Sequence, residues 1–557
     1  MGALALRRAA LAGWLAIVAP GPGSQPAAQA GAAAEPDVAA AWDEVLSRGR
    51  HPWLRTGLDD VAADLAALRE AEPDGLVWFE DGRPLPALYA AVDVLGDARE
   101  EGLDPDDYVA ELLADKAVAA SRGDLPGRER GLLDSAVSAA LLRYLSDVHR
   151  GRADPRRAGL AGPVAPKPMD RPRLLREARD ANRLSELAWS LEPRYPGYAR
   201  LREALDRYRA LEEAQLPEVS ATPRPAPGEP WEGAAALRAR LAAYGDLPAG
   251  EEGGGAPGRY GDELVLGVKR FQERHGLVAD GVLGKRTVAA INVRPGERAR
   301  QIELAMERYR WLPAPRRRAL VVEVPGAELR ALDLERGAEA LEMRVVVGGA
   351  EEHQTPMFFG EVRGVVFRPY WNPPPHIVNE ELLPRERSRP GWLAAHGMEI
   401  VPRGAEGAQP LPATPENLAL VESGKLEIRQ RPGPRNDLGS VKFVMPNPEC
   451  IEMHGTPYRQ LFERPRRDRS HGCIRVEDPA SLAEWVLSEQ PGWDRDRIAR
   501  AMRSPRPTWV KLSAPVPVLV LYATASVGSD GRVTFREDLY GLDARLEAEV
   551  RGARPSR

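Results

Sequence analysis

The 557 residues contain two cysteines, Cys450 and Cys473, and Cys473 sits in a segment suited to nucleophilic chemistry. That segment runs from His454-Gly455-Thr456-Pro457 through a basic loop to Ser470-His471-Gly472-Cys473-Ile474-Arg475-Val476. A cysteine nucleophile needs a base to form the thiolate, a group that fixes the tautomer of that base, and donors for an oxyanion. His454 ends a strand-like stretch, Cys450–Met453, and can face Cys473. The Gly455 carbonyl can hold the imidazole Nδ1–H, a role carboxylates fill elsewhere. Gly472 lets the chain turn sharply, so the amides of Gly472 and Cys473 can point at a developing oxyanion.

The neighbours have assignable roles. Ser470 is read as ordering the loop through its hydroxyl. His471 is either a chemical group or a geometric one. Arg475 is either a bidentate anchor for a substrate carboxylate or one arm of a structural salt bridge. Cys450 and Glu452 share the strand parity of His454, which puts them on its face if the strand is regular. Cys450 is then expected as a small buried hydrophobe, and Glu452 as a group able to tune His454. Tyr370, Trp371 and Asn372 either line a cleft or pack beside their prolines. The basic loop Arg464–Arg469 reads as solvated surface able to meet an acidic polymer.

Other chemistries lack their residues. There is no His-Glu-x-x-His, paired Cys-x-x-Cys or Walker loop, so no metal or cofactor is expected. A formal net charge of -5 and a pI near 6.1 give no bulk attraction to nucleic acid. A papain-like protease is disfavoured, because the cysteine does not precede the histidine. Residues 1–30 read as an export signal: Arg7 and Arg8, an apolar run from Ala9 to Ala19, then Ala28-Gln29-Ala30 before Gly31. No later stretch reaches the ~20 apolar residues of a spanning helix, so no membrane span is expected after cleavage. Export would place the protein in the periplasm. So few thiols in an exported chain exclude a disulfide scaffold.

The elements that must position the site follow from periodicity. A chain this long exceeds one hydrophobic core. Residues 41–213 show apolar spacing of three and four, as in Leu132–Val148, and read as helical. A proline-rich stretch, Pro217–Pro230, marks a boundary. Residues 231–293 then hold helices at Ala234–Tyr244, Glu263–His275 and Lys285–Ile291, with a glycine-rich loop at Gly250–Gly261. From residue 315 to 514 short β-branched stretches (Ala319–Val324, Met343–Val347, Val362–Phe367, Ser440–Met445, Pro507–Leu512) read as a mostly β domain. An insertion at about 372–430, with a helix at Pro415–Val421, is long enough to act as a lid. Residues 515–557, with Val518–Ala523 and Arg532–Phe535 about Ser529-Asp530-Gly531, read as a β-hairpin tail.

The segment from His454 to Arg475 closely resembles the signature of the YkuD-type L,D-transpeptidases, a histidine followed by Ser/Thr-His-Gly-Cys. It matches at His454, Gly455, Ser470, His471, Gly472, Cys473 and Arg475. Trp311-Leu312-Pro313, Thr355-Pro356, Pro369-Tyr370-Trp371-Asn372-Pro373, Arg429-Gln430-Arg431-Pro432-Gly433-Pro434 and Asn436-Asp437-Leu438-Gly439 extend the likeness to the large Gram-negative, YcbB-like branch. Phe271-Gln272, Gly276-Leu277, Asp280-Gly281, Gly284 and Thr287 resemble the three-helix peptidoglycan-binding domain. The resemblance implies a multidomain α+β protein: a helical scaffold, a peptidoglycan-binding domain and a mostly β catalytic domain with a capping insertion. It implies Cys473, His454, Gly455, Gly472 and His471 as catalytic, and Ser470, Arg475, Tyr370, Trp371, Asn372 and Arg431 as substrate-binding. It implies a transpeptidase forming 3→3 cross-links between tetrapeptide stems through a cysteine thioester, without a cofactor, beside other wall-synthesis enzymes. An L,D-carboxypeptidase, a D-amino-acid exchange enzyme and a non-catalytic wall-binding scaffold stay open as alternatives.

Overall fold

The computed structural model describes residues 36–553 apart from 73–75, 165–166, 221, 223, 248–257, 337 and 405–406. The export signal and most of the glycine-rich loop lie outside the described residues. The chain folds as a multidomain α+β protein.

The N-terminal part is helical around Gly127–Arg150, whose residues are buried almost throughout. Helix Pro36–Arg48 crosses it at Gly131, where a Cβ would stand 2.6 Å from the Val38 carbonyl, so only glycine allows the approach. Asp134, fully buried, accepts from Trp42 Nε1 (3.1 Å) and from the amides of Val77 (3.1 Å) and Trp78 (2.7 Å). It thereby ties two segments to one helix.

The second unit packs helices Ala234–Ala243, Asp262–Arg274 and Lys285–Asn292 around Leu237, Leu264, Val268, Phe271 and Ile291. Its motif residues hold the fold. Gln272 Oε1 accepts from the Gly281 amide (2.8 Å), and its Nε2 donates to Asp280 Oδ1 and the Val282 carbonyl (both 3.0 Å).

The element that sequence periodicity misses is helix Pro295–Arg310. Its sequence is strongly charged, yet Arg308 and Arg310 are 1% exposed, because Asp543 and Glu307 partner them. Buried arginines with carboxylate partners defeat an apolar pattern. This helix packs on Pro196–Glu213 and on the C-terminal hairpin, in an apolar cluster separate from the scaffold core. It couples all the units.

The catalytic part is a nine-stranded sheet. Its strands are β1 Arg318–Glu323, β2 Glu328–Asp333, β3 Ala338–Gly348, β4 Phe358–Phe367, β5 Val441–Val444, β6 Met453–His454, β7 Asp468–Ser470, β8 Ile474–Val476 and β9 Thr508–Leu521. The order is β7-β3-β8-β6-β5-β4-β9-β1-β2, and β2 pairs again with β3, which closes the sheet on itself. Val345, Val347, Val365, Phe367, Phe443, Met453 and Val518 fill it.

One expectation is corrected here. Val518–Leu521 is not a tail strand but the end of β9, held between β4 and β1; its unbroken apolar run is that of a strand covered on both faces. The tail hairpin is instead Ala525–Val527 against Val533–Phe535, followed by helix Leu542–Ala553. The insertion has its own core of Ile377, Leu382, Leu383, Leu393, Ile400, Val421 and Ile428, with a two-stranded sheet, Met398–Pro402 against Leu426–Gln430, and helix Pro415–Glu422.

Candidate active site

β6 and β8 run parallel with Met453 opposite Ile474 and His454 opposite Arg475. Side chains alternate along each strand, so His454, Arg475 and Cys473 share one face of the sheet. The backbone fixes the thiol: the Glu452 amide donates to Cys473 Sγ at 3.4 Å, and the Ile474 amide to the Glu452 carbonyl at 2.8 Å. His454 is 4% exposed, and its Nδ1 lies 2.5 Å from the Gly455 carbonyl. That bond places the proton on Nδ1 and leaves Nε2 as the basic nitrogen. The Gly455 amide in turn donates to the Val441 carbonyl at 2.9 Å.

The loop that carries Cys473 is tied by side-chain hydrogen bonds. Ser470 Oγ donates to the Cys473 carbonyl (2.6 Å). Gly472, at φ +101°, takes a backbone conformation that favours glycine. Its carbonyl accepts from the buried Thr355 hydroxyl (2.6 Å), whose oxygen accepts from the Gly348 amide (2.8 Å). Tyr540, from the C-terminal segment, donates to the Gly348 carbonyl (2.6 Å). Among the described residues the amides of Gly472 and Cys473 have no protein acceptor. They can serve an incoming oxyanion.

Electrostatics favour a neutral resting pair. Burial, then the Arg475 charge, lowers His454 to about 3. Burial raises the Cys473 thiol to about 11, against the help of the Glu452 amide. Arg475 is half-buried 5.8 Å from the Tyr458 ring centroid, with Asp437 the largest charge favouring its cationic form. It has no salt bridge among the described residues, and its Nε is buried without a partner. That leaves hydrogen-bonding capacity for a ligand.

The capping insertion reaches this loop. His471 Nε2 lies 2.8 Å from Glu381 Oε1 of the insertion, and its ring lies 4.6 Å from that of His353 and 6.5 Å from that of His376. His471 thus sits between the cap and the loop that carries Cys473.

Other expected contacts are not brought to the thiol. Tyr370 is 40% exposed under the Arg429 guanidinium (4.7 Å). Trp371 exchanges backbone bonds with Gln430 and packs on the core of the insertion. Asn372 and Arg431 are exposed, and the Arg431 backbone bonds Gly397 and Asn436. These residues build the stem of the cap. Cys450 is exposed in a left-handed turn (φ 55°), not buried on the His454 face, because β6 spans Met453–His454 alone. The Glu452 carboxylate turns to Lys442 and acts on the thiol, not on His454. Sequence reasoning missed Glu381, His353, His376 and Tyr540 as neighbours of the loop. Thr355-Pro356 had been noted only as part of the resemblance.

Residues 317–517 match the model of the L,D-transpeptidase catalytic domain, the YkuD family. This segment is a YkuD-type L,D-transpeptidase domain. Ahead of it, residues 64–205 match a model described as "Scaffold domain", and residues 232–291 match a domain described as "Putative peptidoglycan binding domain". The order of the three is that of the YcbB-like branch. A Haemophilus influenzae protein named "Putative L,D-transpeptidase" is 33% identical over 211 residues, which cover 38% of this chain and 42% of that protein. The match therefore spans less than half of the relative. Among the described residues no helix is long and apolar enough to cross a membrane.

Proposed function

We propose that the protein is a periplasmic L,D-transpeptidase that forms 3→3 cross-links in peptidoglycan, with Cys473 as nucleophile and His454 as its base. The observation that carries this reading is the parallel β6–β8 pair. It sets a histidine with Nε2 free on the same face as a thiol whose loop offers two unpaired amides.

As Cys473 Sγ attacks the carbonyl of the third residue of a tetrapeptide stem, its proton passes to His454 Nε2. The new oxyanion takes the Gly472 and Cys473 amides. Collapse breaks the peptide bond, and His454 returns the proton to the departing D-alanine amine, leaving a thioester. The side-chain amine of a neighbouring stem then attacks the thioester, loses a proton to His454 and expels the thiol. Bond energy is conserved, so no cofactor is required. The neutral resting pair means that proton transfer accompanies attack, as in general-base catalysis.

Incubation with purified disaccharide-tetrapeptide, followed by chromatography of the products, tests the proposal. Cross-linked dimer and free D-alanine are expected from the native protein and from a Cys450→Ala variant, but not from Cys473→Ala. Tripeptide alone would make it a carboxypeptidase, stem exchange with added D-amino acid an exchange enzyme, and no turnover a wall-binding scaffold.

A further inference from the structure

Against the basic loop that precedes Ser470–Cys473 lies a cleft of about 670 Å³. Its walls are helix Lys285–Asn292 and the turn at Gly276 from the peptidoglycan-binding unit, the β1–β2 turn at Pro325–Ala327, the basic loop Phe462–Asp468 and the segment Phe535–Leu539. The volume is that of a ligand pocket of several residues' length. Helix Pro295–Arg310 adds Arg298 and Gln301, so four separate parts of the chain build it, and hydrogen bonds hold the peptidoglycan-binding unit there. Arg274 donates to the Val533 carbonyl (3.0 Å) and Arg536 to the Glu273 carbonyl (3.2 Å).

Arg298, Arg464 and Arg467 of the cleft wall lack an anionic partner among the described residues; Arg464 is exposed, and the other two are removed from solvent. Arg298 is 9% exposed and stands 4.7 Å from the Phe535 ring. It donates only to neutral oxygens, Gln301 Oε1 (2.8 Å) and the Ala290 carbonyl (3.1 Å). Arg467 donates to the carbonyls of Gly326 (2.8 Å), Ala327, Val345 and Arg464 (each 3.2 Å). Neither has a salt-bridge partner among the described residues. Most carboxylates on the wall are engaged already: Glu328 by Arg536 (3.0 Å), Asp468 by Arg466 (2.9 Å), Glu537 by Arg286 (3.2 Å). Glu273 and Glu463 are exposed. Burial lowers the pKa of the Arg298 and Arg467 guanidinium groups, Arg298 to about 10. A desolvated cation without a counter-charge is costly, and an arriving carboxylate relieves that cost through charge-assisted hydrogen bonds.

We propose that this cleft is a second substrate site, where Arg298 and Arg467 receive a carboxylate-bearing stretch of peptidoglycan while another part of the polymer occupies the thiol. The inference rests on peptidoglycan being the substrate. The loop that carries Arg467 continues through β7 directly into Ser470–Cys473. At the extended-chain limit, the five residue-to-residue steps from Asp468 to Cys473 span no more than about 18 Å. One polymer strand can therefore engage both places.

The test uses the full-length protein and glycan oligomers bearing tetrapeptide stems, with steady-state cross-linking as the readout. Arg467→Gln and Arg298→Gln each remove a charge-assisted contact and should raise KM by about tenfold or more. Ala289→Trp, at an exposed helix position lining the cleft, should raise KM similarly without touching a charge. It should leave carbapenem acylation of Cys473 within about twofold of the native rate, because that small acyl donor needs the thiol site alone. With stems whose carboxylates are amidated, the native protein and Arg467→Gln should converge. Unchanged KM in all three variants would overturn the inference. So would a KM difference that persists with amidated stems, or acylation that falls in step with cross-linking in Ala289→Trp. Failure of the native protein to turn over or be acylated would instead overturn the parent reading.

Discussion

Thr355→Val probes how the nucleophile loop is held. Thr355 is fully buried, and valine keeps nearly its volume while deleting one hydroxyl. That hydroxyl serves both the Gly472 carbonyl (2.6 Å) and the Gly348 amide (2.8 Å). Each buried group left unpaired costs about 1–3 kcal/mol, so the pair is worth about 2–6 kcal/mol. In a domain of the size of residues 317–517, each kcal/mol moves the midpoint by about 2–4 °C, so the transition of this domain should fall by roughly 4–24 °C. Because the Gly472 carbonyl neighbours the thiol, acylation by a carbapenem, followed by intact mass, should slow at temperatures where the variant is still folded. Thr355→Ser keeps the hydroxyl and should recover most of the loop geometry. A valine variant within about 1 kcal/mol of native, with native acylation, would refute the claim that this hydroxyl anchors the loop.

Three further outcomes are expected. With Cys450 replaced by alanine, alkylation of Cys473 by iodoacetamide should keep rising with pH up to pH 10. The thiol is raised to about 11 and His454 lowered to about 3; a plateau reached by pH 7 would reveal a thiolate–imidazolium pair instead. Glu381→Ala should change overall stability by no more than about 1 kcal/mol, since both partners are part-exposed. It should nevertheless raise hydrogen exchange in residues 375–388, and unchanged exchange would show that the His471 contact does not hold the cap. Burial raises Asp134 from 3.8 to about 7. The folded-state pKa therefore exceeds the unfolded one, and its contribution is complete below the unfolded pKa and lost as pH rises through the folded one. About 4 kcal/mol of helical-domain stability should disappear between about pH 4 and pH 7, and a flat denaturant midpoint over that range would contradict it.

The strands and helices that obey simple periods were legible in the sequence, and so was the local geometry of the His454–Cys473 segment. Type and order suffice where a motif is local: the Gly455 carbonyl on His454 and the positive φ of Gly472 follow from adjacent residues. Helix Pro295–Arg310 escaped because its buried arginines are paired with carboxylates that an apolar pattern does not show, Asp543 far along the chain and Glu307 within the helix. The Glu381–His471 contact joins residues from two folded units, and nothing in either local sequence announces it. Cys450 misled for a different reason. Parity along a strand means nothing once the chain turns through a left-handed residue, as it does at Cys450 itself. The aromatic run at Tyr370 to Asn372 shows the same limit, since burial within the insertion, not reach toward the thiol, decides the place of Trp371.

The most direct test of the account is tandem mass spectrometry of the product formed from purified disaccharide-tetrapeptide, with the thioester trapped on the intact protein at short times. The account predicts a mass increase on the native protein equal to the substrate less D-alanine, located at Cys473, followed by a dimer linked between the third residues of two stems. Cys473→Ala should give neither. A dimer formed by that variant, or an acyl group located at any residue other than Cys473, would contradict the central claim.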